Sequence, residues 1–369
     1  MIPYGKQTVN QADVSAVEKV LGSAWLTQGP AVENFEAKLA KYCGAKYAVA
    51  VCNGTAALHL AYLVAGLGRG DEVITTPNTF VATTNMMLAV GAKPKFCDIR
   101  TDTCNIDEAK IERLINKNTK AIVPVHFAGQ PCEMKVVGKI AKRHGLIVIE
   151  DACHALGASY GKNKIGSCEY SDMAVFSFHP VKSITTGEGG AILTNDRNFY
   201  ERLKLLRSHG IAKDKNGFNV MTNLGFNYRI TDIQSALGAS QLGRLDKFVK
   251  LRHDLAVHYR KNLQAEANII LPVELSGLRS SWHLFVIRVK NPTQRQPLAN
   301  FLKEQGIAVN MHYPAVYRQP FYQSHGYKNT RCPEDELYEK TAITLPLYPL
   351  LKKKEIDYIC GKIKLFFQK

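Results

Sequence analysis

The sequence predicts an α/β fold built on a mainly parallel sheet that is buried on both faces, followed by a smaller C-terminal α/β domain. From residue 46 onward, short apolar runs alternate with helical patterns of several turns. Strands that are separated by helices need crossover connections, and such connections make the strands parallel and cover both faces of the sheet. The composition agrees, because 46% hydrophobic and 22% charged residues in a chain of 369 allow a large core and two domains.

The sheet is predicted to form from the first half of the chain, after two helices at residues 11–21 and 30–42. Apolar runs predict strands at residues 46–51, 72–76, 94–99, 121–125, 146–149, 172–178 and 191–194. Helical spacing of the apolar residues predicts helices between them at residues 54–65, 80–90, 107–115 and 133–142. The last two strands lie before and after a segment that ends in the Gly189-Gly190 turn.

The pattern changes beyond residue 230. A long helical stretch is predicted there over residues 231–263, with apolar residues on one side at Ala236, Leu237, Leu242 and Leu245. The elements predicted after it are a strand at 282–289, a helix at 297–304, a strand at 307–312 and helices at 334–341 and 354–367. We therefore predict two domains, residues 1–245 and 246–369, with the boundary inside the long helix. The loop at residues 212–219 is predicted to be the most mobile segment.

The formal charge of +16 bears on the binding partners. The lysines and arginines are spread along the chain, and the densest run is only Lys352-Lys353-Lys354. A dispersed basic surface attracts small anionic substrates, whereas a nucleic-acid-binding protein concentrates its charge in a patch or stripe. We therefore expect an anionic small-molecule substrate and no nucleic-acid partner.

The cysteines and the apolar stretches bear on the cellular compartment. The nine cysteines are odd in number and form no C-x-x-C motif, so we expect the reduced, buried thiols of a cytosolic protein. The start Met1-Ile-Pro-Tyr-Gly has neither the charged region nor the apolar region of a signal peptide. The longest apolar stretch, residues 56–67, is too short to cross a bilayer. The sequence predicts a cytoplasmic protein without a membrane partner.

Asp151 and Lys182 are the residues that point to a chemistry. Asp151 follows the predicted strand at 146–149, and Lys182 lies between an apolar strand and the glycine-rich turn at 185–190. Alone, Lys182 reads as a solvated surface lysine and Asp151 as a helix cap. Together they are what a pyridoxal phosphate enzyme needs, because the lysine forms a Schiff base with the cofactor and the carboxylate keeps the pyridine nitrogen protonated. The setting can also desolvate the lysine and lower its pKa.

Further residues could hold the same cofactor. The turn Asn53-Gly54-Thr55 joins a strand to a helix, so its amides suit a phosphate group, to which Ser177 could add a hydroxyl. Phe80 begins a predicted helix and could stack on a flat ring, although a core phenylalanine is equally consistent. His154, one helical turn past Asp151, could hydrogen-bond the phenolic oxygen of the cofactor or be a satisfied core histidine.

Motifs for other cofactors do not occur. The histidines lack the spacing of metal ligands, and there is no G-x-x-x-x-G-K-[ST] sequence. The run Gly66-Leu-Gly-Arg-Gly does not satisfy the G-x-G-x-x-G pattern. We therefore predict no metal site and no Walker or Rossmann nucleotide site.

An ordered set of motifs resembles the DegT/DnrJ/StrS family of sugar aminotransferases. The motifs span nearly the whole chain and are Trp25-Leu-Thr-Gln-Gly-Pro, Asn53-Gly-Thr-Ala-Ala-Leu, Glu150-Asp-Ala, Ser177-Phe-His-Pro-Val-Lys, Gly187-Glu-Gly-Gly, Arg207-Ser-His-Gly and Asn227-Tyr-Arg. The resemblance implies the fold of aspartate aminotransferase, which is the type I fold of pyridoxal phosphate enzymes. It also implies a homodimer that transfers an amino group from glutamate to a nucleotide-linked keto-sugar.

The resemblance implies a role for each candidate residue. Lys182 would be the Schiff-base lysine and Asp151 the partner of the pyridine nitrogen. The other expected cofactor contacts are Gly54, Thr55 and Ser177 at the phosphate, Phe80 stacked on the ring, His154 near the phenolic oxygen, and Asn227 at the phosphate of the other subunit. The residues expected to bind the substrate are Thr27, Glu188, His312 and Tyr313.

Within the family, the run Phe80-Val-Ala-Thr-Thr-Asn-Met and a substrate-facing loop at residues 310–318 most resemble members that act on one kind of sugar. These enzymes aminate C4 of a UDP-linked 4-keto-6-deoxy-N-acetylhexosamine on the route to pseudaminic acid. Family members that are dehydratases carry histidine in place of the Schiff-base lysine, so Lys182 favours amino transfer. The alternatives are a lyase or dehydratase on the same fold, an aminotransferase for another nucleotide keto-sugar, and a sugar-sensing or nucleic-acid-binding protein.

Overall fold

The computed structural model describes residues 1–368 and contains strands and helices in alternation through most of the chain. The strands are β1 (Tyr47–Val51), β2 (Glu72–Thr75), β3 (Lys93–Phe96), β4 (Thr119–Val123), β5 (Ile147–Asp151), β6 (Ser159–Tyr160), β7 (Asn163–Lys164), β8 (Met173–Ser177), β9 (Gly190–Thr194), β10 (Ile211–Lys213), β11 (Asn219–Met221), β12 (Ile269–Ile270), β13 (Leu278–Arg279), β14 (Phe285–Val289) and β15 (Ala342–Leu345). The α-helices are α1 (Gln11–Leu21), α2 (Pro30–Cys43), α3 (Gly54–Val64), α4 (Ala82–Ala89), α5 (Glu108–Ile111), α6 (Met134–His144), α7 (Arg197–Arg207), α8 (Asp232–Leu242), α9 (Leu245–Leu263), α10 (Arg295–Glu304), α11 (Pro320–Tyr322), α12 (Pro333–Thr341) and α13 (Lys353–Phe367).

A seven-stranded sheet with the order β1-β9-β8-β5-β4-β2-β3 forms the centre of the molecule. The pairs from β8 through β5, β4 and β2 to β3 are parallel, whereas β9 runs antiparallel to both β1 and β8. The connection from β8 to β9 contains no helix, so β9 returns directly beside β8 in the opposite direction. The prediction of a mainly parallel sheet is confirmed.

Helices cover both faces of this sheet, because alternate side chains of one strand enter two different apolar clusters. In β8, Ala174 and Phe176 pack into a cluster with Phe35 of α2, whereas Met173 and Val175 pack into the cluster that holds much of α3. All four of these β8 side chains are fully buried. Burial on both faces explains why the strands are continuous apolar runs in the sequence.

A smaller three-stranded sheet, β12-β14-β15, lies in the C-terminal part of the chain. Its core includes Phe285 and Ile343 of the sheet and Ile359 of α13. Helix α9 contributes to two cores, with Leu245 in the cluster below the large sheet and Leu255 in the C-terminal one. The predicted boundary at residue 245 lies at the start of this helix and stays a prediction.

Two predictions for the second half of the chain are wrong. The stretch 231–263 is two helices, α8 and α9, because the backbone of Arg244 leaves the helical region. Residues 307–312 form only single bridges, and the strand beside β14 is β15, which follows α12 without a turn residue to mark it. Residues 212–219 take part in a hairpin, in which β10 pairs with β11, and the mobility of this segment stays a prediction.

None of the helices within residues 1–368 combines the length and the apolar character needed to span a membrane.

Candidate active site

The candidate residues meet at one edge of the large sheet. Strand β5 ends at Asp151 and β8 ends at Ser177, and both strands point to the edge at which β1 leads into the Asn53-Gly54 turn. Strand β9 runs in the opposite direction, so it begins at this edge with Gly190. Ligands of open α/β sheets bind outside the carboxyl ends of the strands, which makes this edge the expected place for a site.

Lys182 lies in the tight connection between β8 and β9. Its own amide donates to the carbonyl of His179 at 2.9 Å, and the buried Thr185 hydroxyl donates to the carbonyl of Phe178 at 3.1 Å. These bonds fix the backbone on both sides of the lysine, whose side chain is partly buried. Burial lowers the pKa of the Lys182 amine, while the nearby Cys153 and Asp151 act in the opposite direction. A larger share of neutral amine is what a proton-transfer group requires.

Asp151 is a buried carboxylate with donors on both oxygens. The Thr83 hydroxyl donates to its Oδ2 at 2.6 Å, and the amide of Cys153 donates to its Oδ1 at 3.2 Å. The side chain is 5% exposed, and the lysine of the β8–β9 connection is close enough for the two charges to interact. A carboxylate held in this way can accept a further proton donor, such as a protonated ring nitrogen.

His154 lies beside Asp151 in a buried group of rings. Its Nε2 is 3.2 Å from the Tyr313 hydroxyl, and its ring centroid is 4.4 Å from that of His283. Its Nδ1 is buried and has no hydrogen-bond partner among residues 1–368. Burial first, and then the charges of Lys182 and His312, hold the pKa of His154 well below its usual range. A neutral imidazole with a free buried nitrogen is suited to a polar group that a ligand brings.

The same environment acts on the two substrate candidates in the loop after residue 310. Burial and the Lys182 charge lower the pKa of His312 to about 4. Its Nδ1 is 2.9 Å from the Thr344 hydroxyl of β15, which anchors the loop to the C-terminal sheet. Burial, followed by the Asp151 charge, raises the pKa of the Tyr313 hydroxyl. Tyr313 therefore stays a neutral donor near His154.

The proposed phosphate residues form a close backbone contact. Gly54 is the first residue of α3, and its preceding Asn53 side chain accepts from the amide of Ala56 at 2.8 Å. A Cβ added to Gly54 would lie 2.9 Å from the Cβ of Ser177, so only glycine lets the helix start so near the end of β8. The following residue, Thr55, is exposed. Free amides and two hydroxyls at a helix N-terminus suit a phosphate.

Phe80 lies at the rim of this site. The predicted helix begins two residues later, at Ala82, so Phe80 belongs to the turn before α4 and not to the helix. Its ring is 58% exposed and has its centroid 6.1 Å from that of Tyr313. A large exposed ring beside a partly buried tyrosine leaves one aromatic face free for a flat ligand.

Thr27 and Glu188 lie together at the start of α8. Thr27 forms a bridge with Thr231, the residue that caps this helix, and Gln234 donates to the carbonyl of Glu188 at 2.8 Å. Both candidates are exposed. These two residues form a second group of candidates. The chain segment between Lys182 and Glu188 joins it to the group around Lys182.

Asn227 lies on the surface of the subunit. It is exposed and forms a backbone bridge with Ser208. The next residue, Tyr228, accepts from the amide of Cys52 at 2.8 Å, just before the phosphate turn. Asn227 is therefore placed on the surface near that turn.

Sequence reasoning missed Thr83 and His283. Thr83 follows Phe80 by three residues, which is about one helical turn. Its place at the start of a predicted helix that follows a strand was the signal in the sequence that could have identified it. His283 comes from the C-terminal half, directly before β14, and nothing in the local sequence marks it as a neighbour of His154.

The residues at this edge fit pyridoxal phosphate. They include a partly buried lysine, a buried carboxylate beside it, a helix N-terminus that only glycine permits, and a histidine nitrogen without a partner. Within residues 1–368, no three or more His, Cys, Asp or Glu side chains are arranged to hold a metal ion.

Comparison with known proteins agrees with a pyridoxal phosphate site. Residues 7–364 match the model of the DegT/DnrJ/EryC1/StrS aminotransferase family. The spore coat polysaccharide biosynthesis protein SpsC of Bacillus subtilis is 38% identical, over 98% of this chain and 96% of its own length.

Solved structures show the similarity in three dimensions. PseC of Helicobacter pylori, an aminotransferase involved in the biosynthesis of pseudoaminic acid, superposes with a TM-score of 0.94 and 34% identity over 100% of this chain and 99% of its own. NtdA of Bacillus subtilis, solved with the cofactor PMP bound, has a TM-score of 0.89 and 32% identity over 98% and 83% of the two chains.

Proposed function

The chain belongs to the DegT/DnrJ/EryC1/StrS aminotransferase family, and from that premise we propose that it moves an amino group from glutamate to C4 of a UDP-linked 4-keto-6-deoxy-N-acetylhexosamine. The enzyme is a sugar aminotransferase with the α/β fold of its family, and pyridoxal phosphate is its cofactor. The observation that carries the proposal is the partly buried Lys182 beside the buried Asp151. Full-length similarity to PseC supports the choice of sugar.

The chemistry that pyridoxal phosphate supplies is an electron-withdrawing ring and a carrier for the amino group between donor and acceptor. In the proposal, the amides at the start of α3 and the Ser177 hydroxyl hold the phosphate. Asp151 keeps a proton on the ring nitrogen, and Phe80 covers one face of the ring. The free Nδ1 or the Tyr313-bound Nε2 of His154 orients the phenolic oxygen.

Lys182 is proposed as the group that moves the proton. Its lowered pKa increases the fraction of neutral amine, whose Nζ can take a proton from one carbon and return it to another. The connection between β8 and β9 holds the lysine by backbone bonds and leaves its side chain without a hydrogen bond among the described residues. This freedom at Nζ suits a group that has to reach two atoms in turn.

The substrate is proposed to bind between the two groups of candidate residues. His312 and Tyr313 lie on the cofactor side, and Thr27 and Glu188 lie at the start of α8. The net charge of +16 favours a substrate that carries a diphosphate. Charge alone does not select uridine, so the nucleotide rests on the similarity to PseC.

A homodimer with shared sites is part of the proposal. Asn227 is exposed on its own subunit, as expected if it serves the phosphate site of the other subunit. The hairpin before it and the segment that follows the hairpin expose apolar side chains, with Phe218 at 69% and Leu224 at 75% exposure. Apolar groups of this size in one segment are typical of a protein–protein contact.

A cytoplasmic location also belongs to the proposal. The nine cysteines are free thiols, and seven of them are buried. Free thiols are stable in a reducing compartment such as the cytoplasm. The free cysteines therefore support a cytoplasmic location.

The test is mass spectrometry of the purified protein incubated with the UDP-4-keto-6-deoxy-N-acetyl sugar, pyridoxal phosphate and glutamate. The expected result is a mass change that matches exchange of the ketone for an amine and that requires glutamate. Consumption of the sugar without glutamate would favour a lyase or dehydratase instead.

Two further outcomes are informative. If the sugar is unchanged but borohydride traps the cofactor on Lys182, the enzyme class stands and the proposed sugar is wrong. Failure to trap any cofactor on this lysine would contradict its proposed role.

A further inference from the structure

Asp151 lies at the end of a hydrogen-bonded chain of two threonine hydroxyls. The Thr83 Oγ1 is 2.6 Å from Asp151 Oδ2, and the Thr79 Oγ1 is 2.8 Å from Thr83 Oγ1. Thr83 is 1% and Thr79 is 2% exposed, so the chain is shielded from water. A hydrogen bond from a buried donor to a carboxylate is among the stronger ones in a protein.

The direction of this chain follows from the number of hydrogens. A hydroxyl has one hydrogen to donate, and an ionised carboxylate only accepts. Thr83 therefore gives its hydrogen to Asp151, and the hydrogen between the two threonines comes from Thr79. Each donor polarises the next, so the chain presents its positive end to Oδ2.

The backbone that carries Thr83 is also held in place. The Tyr62 hydroxyl donates to the carbonyl of Thr83 at 3.0 Å. One residue later, the Thr84 hydroxyl is 2.6 Å from that of Tyr322, which also donates to Asn85 Oδ1 at 2.8 Å. The first turn of α4 is thus anchored on two sides, and these bonds hold the backbone that carries the Thr83 hydroxyl.

We infer that Thr83, supported by Thr79, is the positioning residue of Asp151. It occupies one lone pair of Oδ2 and prevents rotation of the carboxylate, so that the remaining lone pairs point to the ring nitrogen of the cofactor. The inference rests on the proposed role of Asp151. Thr83 does not itself contact the reacting atoms in this assignment.

The experiment compares two cofactor probes, pyridoxal phosphate and its 1-deaza analogue, in which a carbon replaces the ring nitrogen. The measured quantity is the ratio of their dissociation constants for each variant of the full-length protein. Because the probes differ only at the ring nitrogen, the ratio reports on the contact with Asp151 and not on the phosphate site.

The variants are Thr83→Val, Thr83→Ser and Thr79→Val. We expect Thr83→Val to lower the preference for pyridoxal phosphate about 10-fold, the size of one hydrogen bond to a charged group. Thr83→Ser should restore the preference, because it restores the hydroxyl. Thr79→Val should lower it less, since the direct donor remains.

Thr194→Val is the matched control. It removes the same atoms from an equally buried position at the other end of β9, where the hydroxyl donates to the carbonyl of Asp172 and not to Asp151. It should leave the ratio unchanged. If Thr83→Val weakens both probes equally, or increases the preference, the positioning role is wrong.

Asp151→Ala separates this inference from the proposed function. If it removes the preference while Thr83→Val keeps it, only the role of Thr83 is refuted. If Asp151→Ala itself keeps the preference, the carboxylate does not serve the ring nitrogen, and the proposed role of Asp151 fails as well.

Discussion

At the scale of single residues, the properties of the site arise from burial more than from charge pairing. Burial is the largest influence that lowers the pKa of Lys182, His154 and His312. The charge of Lys182 adds to the effect on both histidines. Burial therefore favours the neutral form of each of these nitrogens, and the neutral form is the one that can accept a proton.

Lys182→Ala is predicted to abolish steady-state turnover while pyridoxal phosphate still binds through the phosphate and ring contacts. The reason is that no other side chain at this edge supplies a neutral amine in the place of Nζ. Turnover and borohydride trapping followed by peptide mass spectrometry measure the result. Lys162→Ala, at an exposed lysine, is the control and should behave as wild type. Sustained turnover by Lys182→Ala would refute the assigned role.

The stability of the cofactor-free protein is predicted to fall in acid. The pKa of His312 is about 4 in the folded protein and about 6.5 in the unfolded chain, so the unfolded chain binds more protons between these values. The free energy of unfolding therefore decreases as the pH falls from about 6.5 to about 4, by about 3 kcal/mol for this histidine.

Thermal unfolding of the wild type and of His312→Asn at a series of pH values measures this effect. The variant should lose less stability between pH 7 and pH 5 than the wild type, because it lacks the group that takes up the proton. Equal pH dependence of the two proteins would contradict the prediction.

At the scale of elements, the site depends on how closely helix α3 approaches the strands. A Cβ on Gly190 would lie 2.6 Å from the carbonyl carbon of Asn53, and one on Gly54 would meet Ser177. The two glycines let β9, β8 and the start of α3 converge where a phosphate can reach free amides. The structure thus explains two motifs, Asn53-Gly54 and Gly189-Gly190, by one contact.

Gly54→Ala is predicted to weaken binding of pyridoxal phosphate about 10-fold. The added methyl has to displace Ser177 or the helix start, and such displacement in a packed region costs ~1–3 kcal/mol. Gly361→Ala is the control, because a Cβ there meets no atom within 4 Å in helix α13 and should leave binding unchanged. Isothermal titration of the cofactor-free proteins measures both. Unchanged affinity in Gly54→Ala would place the phosphate elsewhere.

At the scale of the whole molecule, the hairpin β10–β11 and the segment after it form an exposed apolar surface on the single subunit. Met221 and Leu224 are 62% and 75% exposed, and Asn227 follows them on the same exposed segment. A second copy of the chain would cover these apolar groups and bring Asn227 to another site. A complete site would then require two subunits.

Leu224→Glu combined with Met221→Glu is predicted to dissociate the dimer, because it places charges in an apolar contact. Light scattering after size-exclusion chromatography should show a monomer, with cofactor affinity reduced at least about 10-fold. Val257→Glu, at an exposed apolar residue of helix α9, should leave a dimer. A wild-type monomer with full activity would contradict the shared site.

The strands and the lysine–aspartate pair were predictable because their signals are local. Apolar runs separated by segments with helical spacing predicted all seven strands of the large sheet, with their ends correct to within a few residues. Asp151 and Lys182 stood out by their place beside strands. The strand β15 was not predicted, since it continues from α12 without a Gly or Pro and its partner β14 is distant in sequence.

By itself, the sequence determined the α/β alternation, the family resemblance, and which residues are chemically able to hold pyridoxal phosphate. Only the tertiary structure decided that Thr83 donates to Asp151, that His283 lies against His154, and that Asn227 is exposed near the phosphate turn. Local propensity encodes elements, whereas contacts between segments far apart in the chain depend on how the elements pack. Which buried donor contacts which acceptor is therefore determined only by the packing of the strands and helices against one another.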